Sequence, residues 1–119
     1  MAPSTVADEP IVVELALDSA RRAGPLVLRW TAIADSRCPV GVQCVWAGVA
    51  RITLLVEDSG APSEHAIDLE LQPGRGPAPV TAAGHELRLL SVEPAPHEGV
   101  AVDRAQLRAR VDVRRTPPP

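Results

Sequence analysis

The chain has no Phe and no Tyr, and only two of its 119 residues are Trp. An aromatic core is thereby excluded, as is a platform of rings for stacking nucleic-acid bases. Burial must fall to Val, Leu, Ile and Ala, with each Trp as an anchor. Lys and Asn are absent while Arg, Ala and Pro abound, a skew that follows from GC-rich coding and carries no functional message. Positive charge is not in excess either. Twelve Arg stand against fifteen Asp and Glu, a net charge of −3, with the signs interspersed. That distribution leaves no basic footprint for nucleic acid. No run approaches the roughly 18 apolar residues of a membrane span. The opening segment MAPSTVADEP has neither the basic nor the apolar region of an export signal. "PGRGP" lacks the Lys and the following helix of a phosphate cradle. Ser36, Ser59, Ser63 and Ser91 sit in no nucleophile-elbow context.

What is present is a 45% hydrophobic chain of one-domain length, written mostly in strand period. A flexible segment is expected over 1–10, a single β domain over 11–114 and a disordered tail over 115–119. In "IVVELAL", Ile11, Val13, Leu15 and Leu17 share one face. "DSARRAGP" reads as a turn. Leu26, Leu28 and Trp30 alternate next, and Ile33 falls out of phase, which predicts a bulge. Residues 45–57 alternate through Trp46, Gly48, Ala50, Ile52, Leu54 and Val56, so Trp46 is expected to face the core. "HAIDLEL" turns Ile67, Leu69 and Leu71 inward. "QPGRGPAPVTAAG" reads as a surface loop. Leu87 and Leu89 resume the alternation, with Val92 again out of phase. A helix over 101–110 is the rival to strand there, and it should stop by about Gln106. Leu107, Ala109, Val111 and Val113 then alternate with Arg108, Arg110, Asp112 and Arg114, placing a last strand at or near a sheet edge with its Arg side chains in solvent.

Six to seven strands with Pro- and Gly-rich turns predict an all-β fold, an antiparallel β-sandwich or small barrel with one disulfide. "LRWTAIAD" at 28–35 and "LRLLSVEP" at 87–94 echo one another, although a chain this rich in Leu and Arg can produce such a match by chance.

The densest chemistry lies in "DSRCPVGVQCVWAGVA", residues 35–50, which holds both cysteines. Their C-x5-C spacing departs from the closer pairs of zinc sites, and no second ligand pair accompanies it. Nor is it the C-x-x-C at a helix start that redox catalysis favours. A structural disulfide between Cys38 and Cys44 is the favoured reading, with Pro39 and Gly41 turning the chain between the sulfurs. It implies an oxidising compartment, and hence an extracytoplasmic protein (periplasm, envelope or secreted) whose export signal has been removed. Asp35 and Ser36 suit turns in which their side chains accept loop N–H groups. Arg37 can pair with Asp35 or lie over Trp46. Gly48 leaves room for a bulky neighbour or a close backbone crossing.

Asp35, Ser36, Arg37, Cys38 and Pro39, then Cys44, Trp46 and Gly48, resemble the D-S-R-C-P-x-x-V-x-C-x-W-x-G motif of a family of small uncharacterised bacterial proteins, often exported or lipid-anchored. The resemblance extends over roughly residues 11–113, through Trp30 with Ile33 and through Val92, Pro94 and Pro96. It implies a β fold and export but no mechanism. The family often has Asn where Val49 stands and Tyr near His85.

The reading that follows is a non-catalytic binding or structural module, not an enzyme, presenting the rigid 38–44 loop to a protein or cell-envelope component. Arg37, Val40 and Val42 are the candidate contact residues, and a protease-inhibitor-like role is one variant. A monomer is expected, with no cofactor, no metal, no nucleic acid and no membrane span. The alternative is a copper- or zinc-handling envelope protein, which would require His65, His85 and His97 to converge with carboxylates.

Overall fold

The computed structural model describes residues 10–58, 64–72 and 78–116. Most of the expected N-terminal segment and the end of the expected tail lie outside these residues, as do parts of two predicted loops. The described chain is all-β. Its eight strands are β1 (Ile11–Ala16), β2 (Ala20–Ala23), β3 (Leu26–Asp35), β4 (Ala50–Asp58), β5 (Glu64–Leu71), β6 (Val80–Ala82), β7 (His85–Glu93) and β8 (Arg108–Arg115). They form two four-stranded antiparallel sheets, ordered β2-β3-β4-β5 and β6-β7-β8-β1. The architecture is therefore a sandwich.

The aliphatic alternation builds the interior. Leu28, Trp30, Ile52, Leu54, Val56 and Leu69 of one sheet are fully buried with Leu15, Leu87, Leu89 and Val111 of the other. Trp30 is the largest of these, and its indole N–H donates to the Ala32 carbonyl at 2.9 Å, so the ring enters the core without an unpaired donor. The outer faces carry the polar residues. Arg51 pairs with Glu70, and Thr53 donates to Asp68 at 2.8 Å.

Both phase breaks in the sequence are bulges. The β3–β4 register shifts between Trp30 and Ala32, and the β7–β8 register shifts between Leu89 and Ser91. One extra residue per bulge returns Ile33 and Val92 to the inner face. The sequence echo thus has a structural counterpart. Leu28, Trp30 and Ile33 pair with Val56, Leu54 and Ile52, while Leu87, Leu89 and Val92 pair with Val113, Val111 and Ala109. Each sheet is a short edge strand, a bulged strand, a long strand and a fourth strand, in that order. The bulged and long strands are joined by fourteen residues in both halves, 36–49 and 94–107.

Several expectations need correction. The eight strands exceed the six to seven predicted, because β2 and β6 are short edge strands. β2 lies inside "DSARRAGP", which reads as a turn, where three of its four residues are exposed and show no alternation, and β6 lies inside "QPGRGPAPVTAAG", which reads as a surface loop because of its Pro and Gly. β4 begins at Ala50 and not at 45, so Trp46 and Gly48 precede the strand. β8 lies between β1 and β7, with the sheet edges at β1 and β6. Its Arg108, Arg110 and Arg114 do face solvent, and Asp112 between them is buried with Arg114 at 3.7 Å. The strand runs to Arg115, and the Thr116 N–H donates to the Gly84 carbonyl at 3.0 Å, so the sheet takes in the start of the expected tail. The rival helix is reduced to one 3₁₀ turn, Arg104–Gln106, capped by Asp103 accepting from the Ala105 N–H at 3.0 Å.

Candidate functional site: the disulfide-braced end of the sandwich

The loop 36–49 leaves β3 and enters β4 with its two limbs still paired. The Ser36 N–H donates to the Val49 carbonyl at 2.8 Å, and the Cys38 N–H to the Ala47 carbonyl at 3.2 Å. The Ser36 hydroxyl reinforces the first rung by accepting from the Val49 N–H at 3.0 Å. Gly48 is required where the limbs meet. Its φ of +73° lies in the left-handed region, and a Cβ there would stand 1.9 Å from the Ser36 carbonyl oxygen. Of the two roles the sequence allows for Gly48, the close backbone approach is the one realised.

Cys38 and Cys44 are joined as a disulfide with their Cα atoms 5.9 Å apart. Both sulfurs are thereby occupied and offer neither a thiolate nucleophile nor a metal ligand. A disulfide is compatible with an oxidising environment. Between the sulfurs, the Val42 N–H donates to the Pro39 carbonyl at 3.1 Å, closing the turn over Val40 and Gly41.

Arg37 fastens the loop to the sandwich. Its Nε and Nη2 donate to the two Asp35 oxygens at 2.9 and 2.7 Å, and its Nη1 donates to the Val92 carbonyl at 3.0 Å. One guanidinium therefore ties β3 of one sheet to β7 of the other. The side chains of Arg37 and Asp35 keep only 11% and 20% of their exposure. Burial acts to raise the Asp35 carboxyl, but the hydrogen bonds from the Arg37 guanidinium and backbone N–H, with the Arg37 charge, outweigh it and hold the group below its usual value. The Asp35 and Ser36 side chains accept loop N–H groups as expected, and Arg37 takes Asp35 in preference to Trp46.

The corresponding loop of the other half, 94–107, lies alongside. The Val40 N–H donates to the Pro96 carbonyl at 2.8 Å, and the Val40 carbonyl accepts from the Glu98 N–H at 3.0 Å. His97 bridges Val40 on one side and Val100 on the other. The same end of the sandwich thus carries both long loops, paired through their backbones.

The apolar residues they display are the outcome that sequence reasoning missed. Trp46, expected in the core, is 68% exposed, and Val45 beside it is 90% exposed. Val40, Val42, Val100 and Val102 are exposed too. The parity linking Trp46 to Ala50 fails because the left-handed Gly48 interrupts the extended backbone between them. A usable signal was present all the same, since residues 38–49 contain no charged side chain, and neither do 99–102.

Of the three candidate contact residues, Val40 and Val42 are displayed, whereas Arg37 is engaged internally. The histidines do not converge. His65 pairs with Val56 in β5, far along β4 from the loop, and His85 opens β7 with its Nδ1 2.8 Å from the Ala83 carbonyl. His97 lies at the loop end, separated from His85 by the length of β7, roughly 25 Å at the usual rise per strand residue. Among the described residues, no group of three or more His, Cys, Asp or Glu side chains is placed to hold a metal. No helix among them is long and apolar enough to cross a membrane. No family model matches the chain, and no curated protein or solved structure matches it significantly.

Proposed function

We propose that the protein is a non-catalytic binding module of the extracytoplasmic space, and that it makes contact through its disulfide-braced end with Trp46 as the anchor. One observation carries this reading. Of the two Trp residues, one is wholly buried, and the other is held outside on a loop braced by a disulfide, an inter-sheet guanidinium and a glycine contact. A loop braced in advance loses less backbone freedom on binding, and exposed Trp is enriched among residues that dominate interface energies. The disulfide favours an oxidising compartment, and the motif resemblance points to export as well.

The protease-inhibitor variant loses its support. A substrate-like loop needs a free side chain and a free main chain to enter a cleft. Arg37 is engaged by Asp35 and Val92, and both backbone groups of Val40 are taken by the neighbouring loop. The metal-handling alternative has no converging histidines to rest on.

Immobilised wild-type protein and a Val45→Ser/Trp46→Ser variant, compared for capture from a cell-envelope fraction, test the proposal. Capture by the wild type that is lost in the variant supports it. Equal capture by both, combined with loss on changing Arg110→Gln on the outer sheet face, moves the contact surface elsewhere.

A further inference from the structure

We infer that the loop end is occupied by the interfacial layer of a phospholipid membrane with uncharged headgroups, entered by Val45 and Trp46. This rests on the reading of that end as the contact surface. The argument starts from charge. Residues 38–49 and 99–102 contain no ionisable side chain apart from the two cysteines, which the disulfide occupies, and Gln43 is their one side-chain amide. A protein interface carries about one hydrogen bond per 100–200 Å² and a polar rim. These loops offer few side-chain groups to make such bonds, whereas a hydrocarbon boundary asks for none.

The backbone is the second requirement. The hydrocarbon interior admits no unpaired N–H or C=O group, each costing several kcal/mol there, so only side chains pass below the headgroups while the loop backbone is paired or stays among them. The Ser36, Cys38, Val40, Val42 and Val100 N–H groups donate to carbonyls within or between the two loops. The tip N–H groups of residues 43–48 find no such carbonyl among the described residues and stay among the headgroups, whose phosphate and ester oxygens can accept them. What projects beyond them is apolar. Trp46 supplies a ring with a single N–H, the type of side chain that concentrates at the level of lipid headgroups.

The surrounding charges then decide the lipid. Asp35 and Arg37 neutralise one another, and the loop 94–107 adds two carboxylates, Glu98 and Asp103, and one guanidinium, Arg104. Peripheral proteins that seek anionic lipid surround their apolar residues with Lys and Arg. This rim has no such excess. Attachment should therefore depend on apolar contact alone and show no gain from anionic lipid.

The test is cosedimentation of the full chain with phosphatidylcholine vesicles, with and without added phosphatidylserine, read together with Trp fluorescence. The expected result is partition onto phosphatidylcholine vesicles that does not increase with phosphatidylserine and does not fall at high salt. It should be accompanied by a blue shift and by loss of iodide quenching that Trp46→Phe abolishes. Val45→Asp, at a site too exposed to disturb the fold, should weaken partition by on the order of tenfold or more, since a charge must then be carried into the interface. No partition, partition that requires phosphatidylserine, or partition that survives Val45→Asp overturns the inference. Absence of vesicle binding together with tip-dependent capture of an envelope protein overturns the lipid assignment and leaves the binding module standing. If neither readout responds to Val45 and Trp46, both fall.

Discussion

Replacing Gly48 by Ala separates two costs that usually arrive together. The first is conformational. A φ of +73° asks an L side chain to enter the left-handed region, which costs about 1 to 2 kcal/mol, offset by about 0.4 to 1 kcal/mol because Ala also restricts the unfolded chain. The second is steric. The new Cβ would stand 1.9 Å from the Ser36 oxygen and 2.6 Å from its carbonyl carbon, both backbone atoms that no rotamer change can move. Relief requires the limbs to part, with loss of the Ser36–Val49 and Cys38–Ala47 rungs and the Ser36 hydroxyl contact, at about 0.5 to 1.5 kcal/mol for each hydrogen bond. Gly84 supplies the control. It has the same φ of +73° in the β6–β7 turn, but nothing lies within 4 Å of its added Cβ. Equilibrium urea unfolding should therefore show Gly84→Ala losing about 1 kcal/mol or less and Gly48→Ala losing about 2 to 5 kcal/mol. Equal losses at the two positions would refute the close crossing of the loop limbs.

Three further outcomes follow from the same contacts. Replacing Cys38 and Cys44 together by Ala should lower unfolding stability by about 2 kcal/mol, and reduction of the native protein should raise its intact mass by two hydrogens. Trp30→Ala should cost about 3 to 5 kcal/mol because the ring is fully buried, whereas Trp46→Ala should leave urea stability within about 0.5 kcal/mol of wild type. Asp35→Asn should destabilise the fold at neutral pH. The Asp35 carboxyl is held below its usual value near 3.8, so its contribution is present above that value and is lost as pH falls through the lower folded value. The stability gap between wild type and variant, followed from pH 7 downwards, should stay constant until about pH 4 and then shrink; a gap that widens on acidification would show that Arg37 does not stabilise the carboxylate.

The parts of the fold legible in the sequence are those in which burial enforces alternation. Leu26, Leu28 and Trp30, or Ala50, Ile52, Leu54 and Val56, must present one side chain in two to the core. A break in phase at Ile33 or Val92 then has to mean an inserted residue. β2 and β6 escape this logic because an edge strand of three or four residues buries almost nothing and is held by its backbone pairing. The cysteine pair and the turn roles of Asp35 and Ser36 depend on local geometry, and the sequence discloses them for that reason. Trp46 depends on a relation between limbs thirteen residues apart at Ser36 and Val49. The alternation from Ala50 back to Trp46 crosses Gly48, where the backbone leaves the extended region, and parity has no meaning beyond such a residue. The inter-sheet reach of Arg37 to Val92 is non-local in the same way.

The two indole N–H groups test the account most directly. Trp30 donates to the Ala32 carbonyl inside the core, while Trp46 projects from the braced loop. In a two-dimensional proton–nitrogen spectrum, assigned with Trp46→Phe, the Trp30 indole signal should persist for hours after transfer to deuterated water and the Trp46 signal should vanish at the rate of an unfolded peptide. Slow exchange at both indoles would place Trp46 in the interior and contradict the claim that this end of the molecule is built to display it.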